Sequence, residues 1–151
     1  MTMVQKIPDT VQLFLNSQKL GYVATVSENN LPNLSPKGTI IVWDDETLAF
    51  ADIRSPNTLK NLEKNPNLEI NVIDPLIRRG YRLSGIGSII RAGKNFDAIL
   101  KHYREIGIKS PINAIVLVKI ENISPVTSPL YDLGVSELEL KEKWKKYFSE
   151  L

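Results

Sequence analysis

The chain has 151 residues, 42% of them hydrophobic and 24% charged, a composition typical of a single globular domain with a sizeable core. Its net charge of +2 is too small to indicate a nucleic-acid partner, and the lack of cysteine excludes disulfides, zinc–thiolate sites and a cysteine nucleophile. No apolar run approaches the roughly 18–20 residues of a membrane span, and the first residues lack the apolar core of a signal peptide, so we expect a cytoplasmic protein.

The first part of the chain predicts one helix and then a series of strands. Pro8 and Asp9 open a helix over residues 7–18, where apolar residues recur at helical spacing. Runs rich in β-branched and aromatic residues then predict three strands joined by turns of hairpin length, over residues 21–27, 33–43 and 48–52. The second of these strands has an unusual feature, because Lys37 and Gly38 lie in its middle.

A short helix with clear start and stop signals follows the third strand. Ser55 offers an N-cap, and Pro56 stands where the first helical position tolerates proline. Asn65 and Pro66 end this helix.

The second part of the chain predicts three more strands and two helices. The strands cover residues 68–73, 81–92 and 112–120; the helices cover residues 94–106 and 138–148, with a loop at 128–132. Glycines 85 and 87 indicate a bulge or a close backbone approach in the fifth strand. Six strands with mostly short connections favour a mainly β fold, a six-stranded antiparallel barrel with peripheral helices, over an alternating β–α sheet.

The chain has one histidine, His102, which lies off the apolar stripe of its predicted helix. We therefore predict a solvent-exposed side chain. A Ser-His-Asp triad or a metal site built from several histidines is not expected, and no metal ligand is predicted. Any redox or transfer chemistry would have to be carried by a cofactor.

The residues around the start of the second helix are suited to binding an anion. A helix N-terminus presents free N–H groups and a partial positive charge. Arg54, Ser55, Asn57 and Thr58 stand at this end, and Lys37 could supply a countercharge from a neighbouring strand. The same residues also fit a capped helix without a ligand, and their spacing alone does not decide between the two interpretations.

Three motifs in a fixed order resemble a known family. They are Asn-Leu-Ser-Pro-Lys-Gly at 33–38, the segment 54–66, and Tyr-Arg-Leu-Ser-Gly at 81–85. Their order and spacing over residues 10–125 resemble the flavin-binding split-barrel proteins related to pyridoxamine 5′-phosphate oxidase, especially the small members with a Ser-Pro-Lys/Arg-Gly stretch. The resemblance implies a six-stranded split barrel that forms a homodimer, with FMN in each of two grooves between the subunits.

The resemblance also implies which residues bind the cofactor: Ser35, Pro36, Lys37, Gly38, Arg54, Ser55, Asn57, Thr58 and Arg82. The first four would line the ribityl chain and the ring, and the segment 54–58 would hold the phosphate, with Ser55 as cap or added donor. Arg82 would reach toward the phosphate or the ribityl chain, and Gly85 would keep the backbone low near the pocket. Trp43 and Tyr131 are candidates for contributions from the partner subunit. Lys37 could stabilise the reduced ring or hold the phosphate, and the sequence does not separate these roles.

The expected function is that of a flavin-dependent oxidoreductase of unknown substrate, supplied by a nicotinamide or another electron donor. True pyridoxamine 5′-phosphate oxidases end in an arginine-rich substrate-binding segment, whereas this chain has no arginine after Arg104, so oxidation of vitamin B6 is not expected. Two alternatives stay open: a flavin carrier or sensor without turnover, and the same barrel with a deazaflavin. Histidine-ligated haem and nucleic acid are not expected.

Overall fold

The computed structural model describes residues 3–151, and within them it has seven strands, four α-helices and one 3₁₀ helix. The strands are β1 (Gly21–Val26), β2 (Pro32–Lys37), β3 (Ile41–Asp44), β4 (Thr47–Asp52), β5 (Asn67–Asp74), β6 (Arg79–Ile90) and β7 (Ala114–Thr127). The α-helices are α1 (Asp9–Gln18), α2 (Pro56–Lys64), α3 (Lys94–Glu105) and α4 (Glu137–Ser149), and the 3₁₀ helix is Pro129–Leu133.

The strands form one antiparallel sheet in the order β2-β1-β5-β6-β7-β4-β3. The two edge strands, β2 and β3, are consecutive in the chain and are separated by only residues 38–40. Four extended steps from Lys37 to Ile41 span at most about 14 Å. In a flat sheet six strand spacings would hold these edges about 29 Å apart. The sheet therefore curls until its edges approach, which confirms the predicted mainly β antiparallel barrel.

The prediction of a single second strand over residues 33–43 is wrong, and the sheet has seven strands instead of six. Thr39 leaves the ladder because its Oγ1 accepts a hydrogen bond from Ala51 N (2.9 Å) and its carbonyl accepts one from the Tyr103 hydroxyl (2.8 Å). Ile40 turns into the core, where it is 2% exposed. The chain thus crosses from one sheet edge to the other, and β2 and β3 pair with different strands.

Two further boundaries differ from the sequence predictions. The last strand is longer than predicted, since it continues to Thr127 along β6. Most of the predicted loop at 128–132 is the 3₁₀ helix, which Ser128 begins by accepting a hydrogen bond from Leu130 N on its side chain.

The predicted irregularity at Gly85 is confirmed. The register between β6 and β7 shifts between Ser84 and Gly85, so that Glu121 is an extra residue on β7. A Cβ on Gly85 would lie 2.2 Å from the carbonyl oxygen of Lys119, closer than any side chain allows. Glycine is therefore required here because two backbones meet at the bulge.

The core lies on both sides of the curled sheet. One cluster fills the barrel and is covered by α1 and α2, through Val11, Leu15 and Leu62. A second, smaller cluster lies under α3, where Ile99 and Tyr103 pack against β4 and β7. None of the helices in the described residues has the length and apolar character needed to cross a bilayer.

Candidate functional site

Strand β2 reverses the usual pattern of a strand at a barrel wall. Lys37 points inward and is 4% exposed, whereas Leu34 points outward and is 67% exposed. Ser35 shares the inner face with Lys37, because residues two apart lie on the same side of a strand. A buried ammonium group is costly unless hydrogen-bond partners surround it.

Three hydroxyl oxygens surround the Lys37 ammonium group. Its Nζ donates to Ser35 Oγ at 2.9 Å, to Thr58 Oγ1 at 3.3 Å, and to Ser55 Oγ. We call Ser35, Ser55 and Thr58 the hydroxyl cluster. It joins β2 to the first turn of α2, and the Phe50 ring lies 5.9 Å from the same nitrogen. The lysine thus lies beside the N-terminus of α2, and its predicted role at the ring or at the phosphate stays a prediction.

A buried carboxylate balances the lysine charge. Asp52, at the end of β4, is 6% exposed, and its Oδ1 accepts a hydrogen bond from Ser55 N at 2.9 Å. Burial lowers the pKa of Lys37 from its usual value, and the negative charge of Asp52 opposes this shift.

The first turn of α2 leaves backbone donors free. Pro56 has no N–H, and Leu59 N is the first to bond back, to Ser55 O at 3.4 Å. In the described chain the N–H groups of Asn57 and Thr58 therefore have no acceptor. Ser55 takes the predicted N-cap position, but its hydroxyl accepts from Lys37 and makes no capping bond. The turn offers two N–H donors beside the hydroxyl cluster.

Two cavities lie near the hydroxyl cluster, one along α2 and one beside Gly38. A cleft of about 300 Å³ runs along the first turn of α2, where Asn57, Lys60 and Asn33 line it. A groove of about 330 Å³ lies beside Gly38 and is lined mainly by aliphatic side chains. A Cβ on Gly38 would meet no atom within 4 Å, so the backbone is open to this groove.

His102 also lines the groove, contrary to the prediction of a solvent-exposed histidine. Its ring is half-buried, with its centroid 6.3 Å from that of Trp43. The helical pattern placed His102 correctly off the buried stripe of α3. The groove lies between the crossing segment 38–40 and α3. The apolar pattern of α3 alone does not predict the path of that segment.

The structure brings some predicted site residues together and leaves others apart. Arg54 is exposed beside the hydroxyl cluster and forms no ion pair within residues 3–151. Arg82 is exposed on the outer face of β6, whereas Lys37 lies on the inner face of β2, three strands away in the sheet. One protomer therefore does not place Arg82 in the Lys37 site. Its predicted contact with the cofactor stays a prediction.

Trp43 and Tyr131 already have partners inside their own protomer. Trp43 packs in the cluster under α3, and the Tyr131 hydroxyl donates to Ile77 O at 2.6 Å. The guanidinium of Arg79 lies 3.8 Å from the centroid of the Tyr131 ring. Their predicted contributions to a partner subunit stay predictions.

Asp52 is a site residue that the sequence pattern did not predict. The signal was present, since an Asp three residues before a helix N-cap can accept a hydrogen bond from the local backbone. It was missed because Asp52 was assigned only to the end of a strand. Its electrostatic effect on Lys37 depends on two segments fifteen residues apart in the chain, which only the folded barrel brings together.

Comparison with known proteins agrees with this geometry. The family model described as pyridoxamine 5′-phosphate oxidase matches residues 7–126, which extend from just before α1 almost to the end of β7. The chain belongs to the pyridoxamine 5′-phosphate oxidase family. The 3₁₀ helix and α4 lie outside the matched segment. Among curated proteins, none matches the chain.

Several solved structures share the fold of this chain. HupZ of Group A Streptococcus is 30% identical, with a TM-score of 0.73, over 81% of this chain and 95% of HupZ. An FMN-binding protein from Syntrophomonas wolfei is 22% identical, with a TM-score of 0.68, over 78% of this chain and 84% of that one. An F420 reductase is also 22% identical, with a TM-score of 0.61, over 78% of this chain and 98% of the reductase.

Proposed function

We propose that the chain binds FMN and that the hydroxyl cluster anchors the FMN phosphate. The observation that carries this proposal is the buried Lys37, whose ammonium group is surrounded by hydroxyls at the N-terminus of α2. Burying a cation costs free energy even when polar groups surround it, so such a cation is typical of a functional site. Membership of the pyridoxamine 5′-phosphate oxidase family supports a flavin as the ligand.

The donors present fit a phosphate group. A phosphate monoester offers acceptor oxygens only, and the site offers three hydroxyls and the N–H groups of Asn57 and Thr58. Arg54 would add an exposed cation at the rim, a role that suits the guanidinium group. The negative charge of Asp52 opposes that of Lys37, so further positive potential would come from Arg54, from Lys60 in the cleft and from the helix dipole.

We propose that the rest of the cofactor extends from this anchor along the segment Ser35–Gly38. The open backbone at Gly38 lets a flat ring approach without meeting a Cβ. The aliphatic groove beside it suits an aromatic ring system better than the polar cleft along α2 does.

We further propose a homodimer that uses the outer face of β1 and β2. Leu34 and Tyr22 are 67% and 43% exposed on neighbouring strands, and Pro36 lies directly opposite Tyr22. The same cross-strand row continues through Asn71 to Arg82. Pairing two such faces would cover the apolar residues and bring the partner's Arg82 toward the cofactor segment, which would give Arg82 its predicted role.

The reaction class that we propose is flavin-dependent oxidation–reduction in the cytoplasm. FMN, when bound, supplies the hydride or electron transfer, and the chain's own residues bind it, orient it and tune its charge. A carrier or sensor without turnover is the second candidate, because the same anchor would serve it. A deazaflavin is the third, favoured by the F420 reductase that shares this fold, since its phosphate-bearing tail could use the same anchor.

An absorbance spectrum taken before and after FMN addition and gel filtration tests the proposal. Bands near roughly 375 and 450 nm that co-elute with protein at dimer size are expected. Protein that elutes without FMN would overturn the FMN proposal, and a deazaflavin should then be tried. A Leu34→Lys variant that elutes at monomer size would support the proposed dimer face, and an unchanged elution position would reject it.

Turnover separates the first two candidates. An oxidoreductase should consume NADH or NADPH when FMN and an electron acceptor are present, at a rate proportional to protein. Tight FMN binding with no consumption of either nicotinamide would favour the carrier or sensor.

A further inference from the structure

The hydrogen bonds of Lys37 leave it no donor for a ligand. An ammonium group has three N–H donors and no acceptor. The three hydroxyl oxygens of the cluster take all three donors. A direct bond from Lys37 to a phosphate or to a flavin ring would require one of these bonds to break.

The same bonds determine what the hydroxyls can do. A hydroxyl that accepts from the ammonium group keeps its own hydrogen, which must point away from the lysine. None of the three hydroxyls donates to another group in the described part of the chain. Polarisation by the adjacent cation also makes each O–H a stronger donor. The cluster thus presents three oriented donors, which match an acceptor-only ligand such as a phosphate.

A nearby carboxylate weakens the direct attraction between the Lys37 charge and an anion. Asp52 lies close enough for its negative charge to act on Lys37 and to oppose the lysine charge. A phosphate bound by the hydroxyls would feel the Lys37 charge reduced by that of Asp52, whereas the oriented hydroxyls donate to it directly. The contacts through which Lys37 assists an anion are therefore those of the hydroxyls.

We propose that Lys37 is a positioning residue, whose ammonium group turns the hydroxyl cluster toward the bound phosphate without touching it. This inference rests on the proposed FMN function and changes the role of Lys37 from ligand contact to orientation of the contacts. It also assigns phosphate specificity to Ser35, which the resemblance had placed on the ring side.

The effect of Lys37→Met on FMN affinity, measured with and without the hydroxyl cluster, tests the inference. FMN and riboflavin affinities are measured by fluorescence titration for the wild type, for Lys37→Met, for a hydroxyl-free variant (Ser35→Ala, Ser55→Ala and Thr58→Val), and for the combination of all four changes. Lys37→Met alone should weaken FMN binding about tenfold or more, because the hydroxyls lose their orientation. In the hydroxyl-free background the same change should alter FMN affinity by less than about threefold, since coupled residues are not additive. Riboflavin affinity should stay within about threefold throughout.

A matched control removes a lysine charge at the opposite end of α2 from the hydroxyl cluster. Lys64 is exposed on α2 and pairs with Glu28 at 3.4 Å, so Lys64→Met should leave FMN affinity unchanged in both backgrounds. Thermal unfolding of each variant shows whether it is folded. If the quadruple variant does not fold, the double-mutant cycle of Lys37→Met with Thr58→Val makes the same distinction.

Each other outcome counts against the inference. An equal loss on Lys37→Met in both backgrounds would show that the lysine contacts the phosphate itself. Unchanged FMN affinity in Lys37→Met, or in the hydroxyl-free variant, would overturn the orienting role. Wild-type protein that binds no FMN would reject the proposed function itself, a result that the first titration reveals before any variant is compared.

Discussion

Thr58→Val offers a direct test of the phosphate anchor. Thr58 is 1% exposed, and its Oγ1 lies 3.3 Å from Lys37 Nζ. Valine has nearly the same shape as threonine, so the change removes one oriented hydroxyl donor and leaves the packing of α2 almost intact.

The expected loss follows from one hydrogen bond to a charged acceptor. Such a bond contributes about 1.5–3 kcal/mol, which corresponds to a loss of FMN affinity of about 10- to 150-fold. Riboflavin lacks the phosphate, so its affinity should change by less than about threefold. The ratio of the two affinities therefore isolates the phosphate contact from any general damage to the site.

Thr47→Val is the matched control for this measurement. Thr47 is also buried, 2% exposed, but it lies at the opposite end of β4 from Asp52. Calorimetric or fluorescence titration should show unchanged affinity for both ligands in this variant. If Thr58→Val weakened FMN and riboflavin equally, the phosphate would lie elsewhere and the reasoning would be refuted.

Urea unfolding checks three substitutions and one pH dependence of stability. Thr47→Val should stabilise the protein by about 1 kcal/mol, because the Thr47 hydroxyl has no partner in residues 3–151, and a loss would show that it is bonded. Tyr103→Phe should cost about 1 kcal/mol, since it removes the hydrogen bond to the partly buried Thr39 carbonyl, and a neutral result would contradict that bond. Burial raises the pKa of Tyr103 above its usual 10, so the folded state holds this proton and wild-type stability should fall above about pH 10 more steeply than that of Tyr103→Phe. Gly85→Ala should cost more than about 2 kcal/mol through the clash with Lys119 O, whereas a smaller loss would mean that the bulge adapts.

The sequence determined the features that depend on neighbouring residues. Pro56 marked the start of α2, because the proline ring fixes the backbone of the first helical turn, and Ser55 occupies the N-cap position. Glycine at position 85 indicated the bulge, since a missing Cβ is a local property. The ordered motifs also indicated the family, to which the match over residues 7–126 assigns the chain.

Tertiary structure decided how β2 and β3 separate. An alternating run of residues looks the same whether it continues along one partner or crosses to another. The crossing at 38–40 depends on Thr39 meeting Ala51 and Tyr103, which are 12 and 64 residues away in sequence. No pattern within the run contains that information.

The burial of Lys37 was also decided only by the tertiary structure. A lysine is normally exposed, and its sequence neighbours gave no reason to place it inward. It can be buried because folding brings Ser55 and Thr58, 18 and 21 residues away, within reach of its ammonium group. The sequence therefore supplied the residues of the anion site, and the closure of the barrel determined that the lysine faces the hydroxyls instead of water.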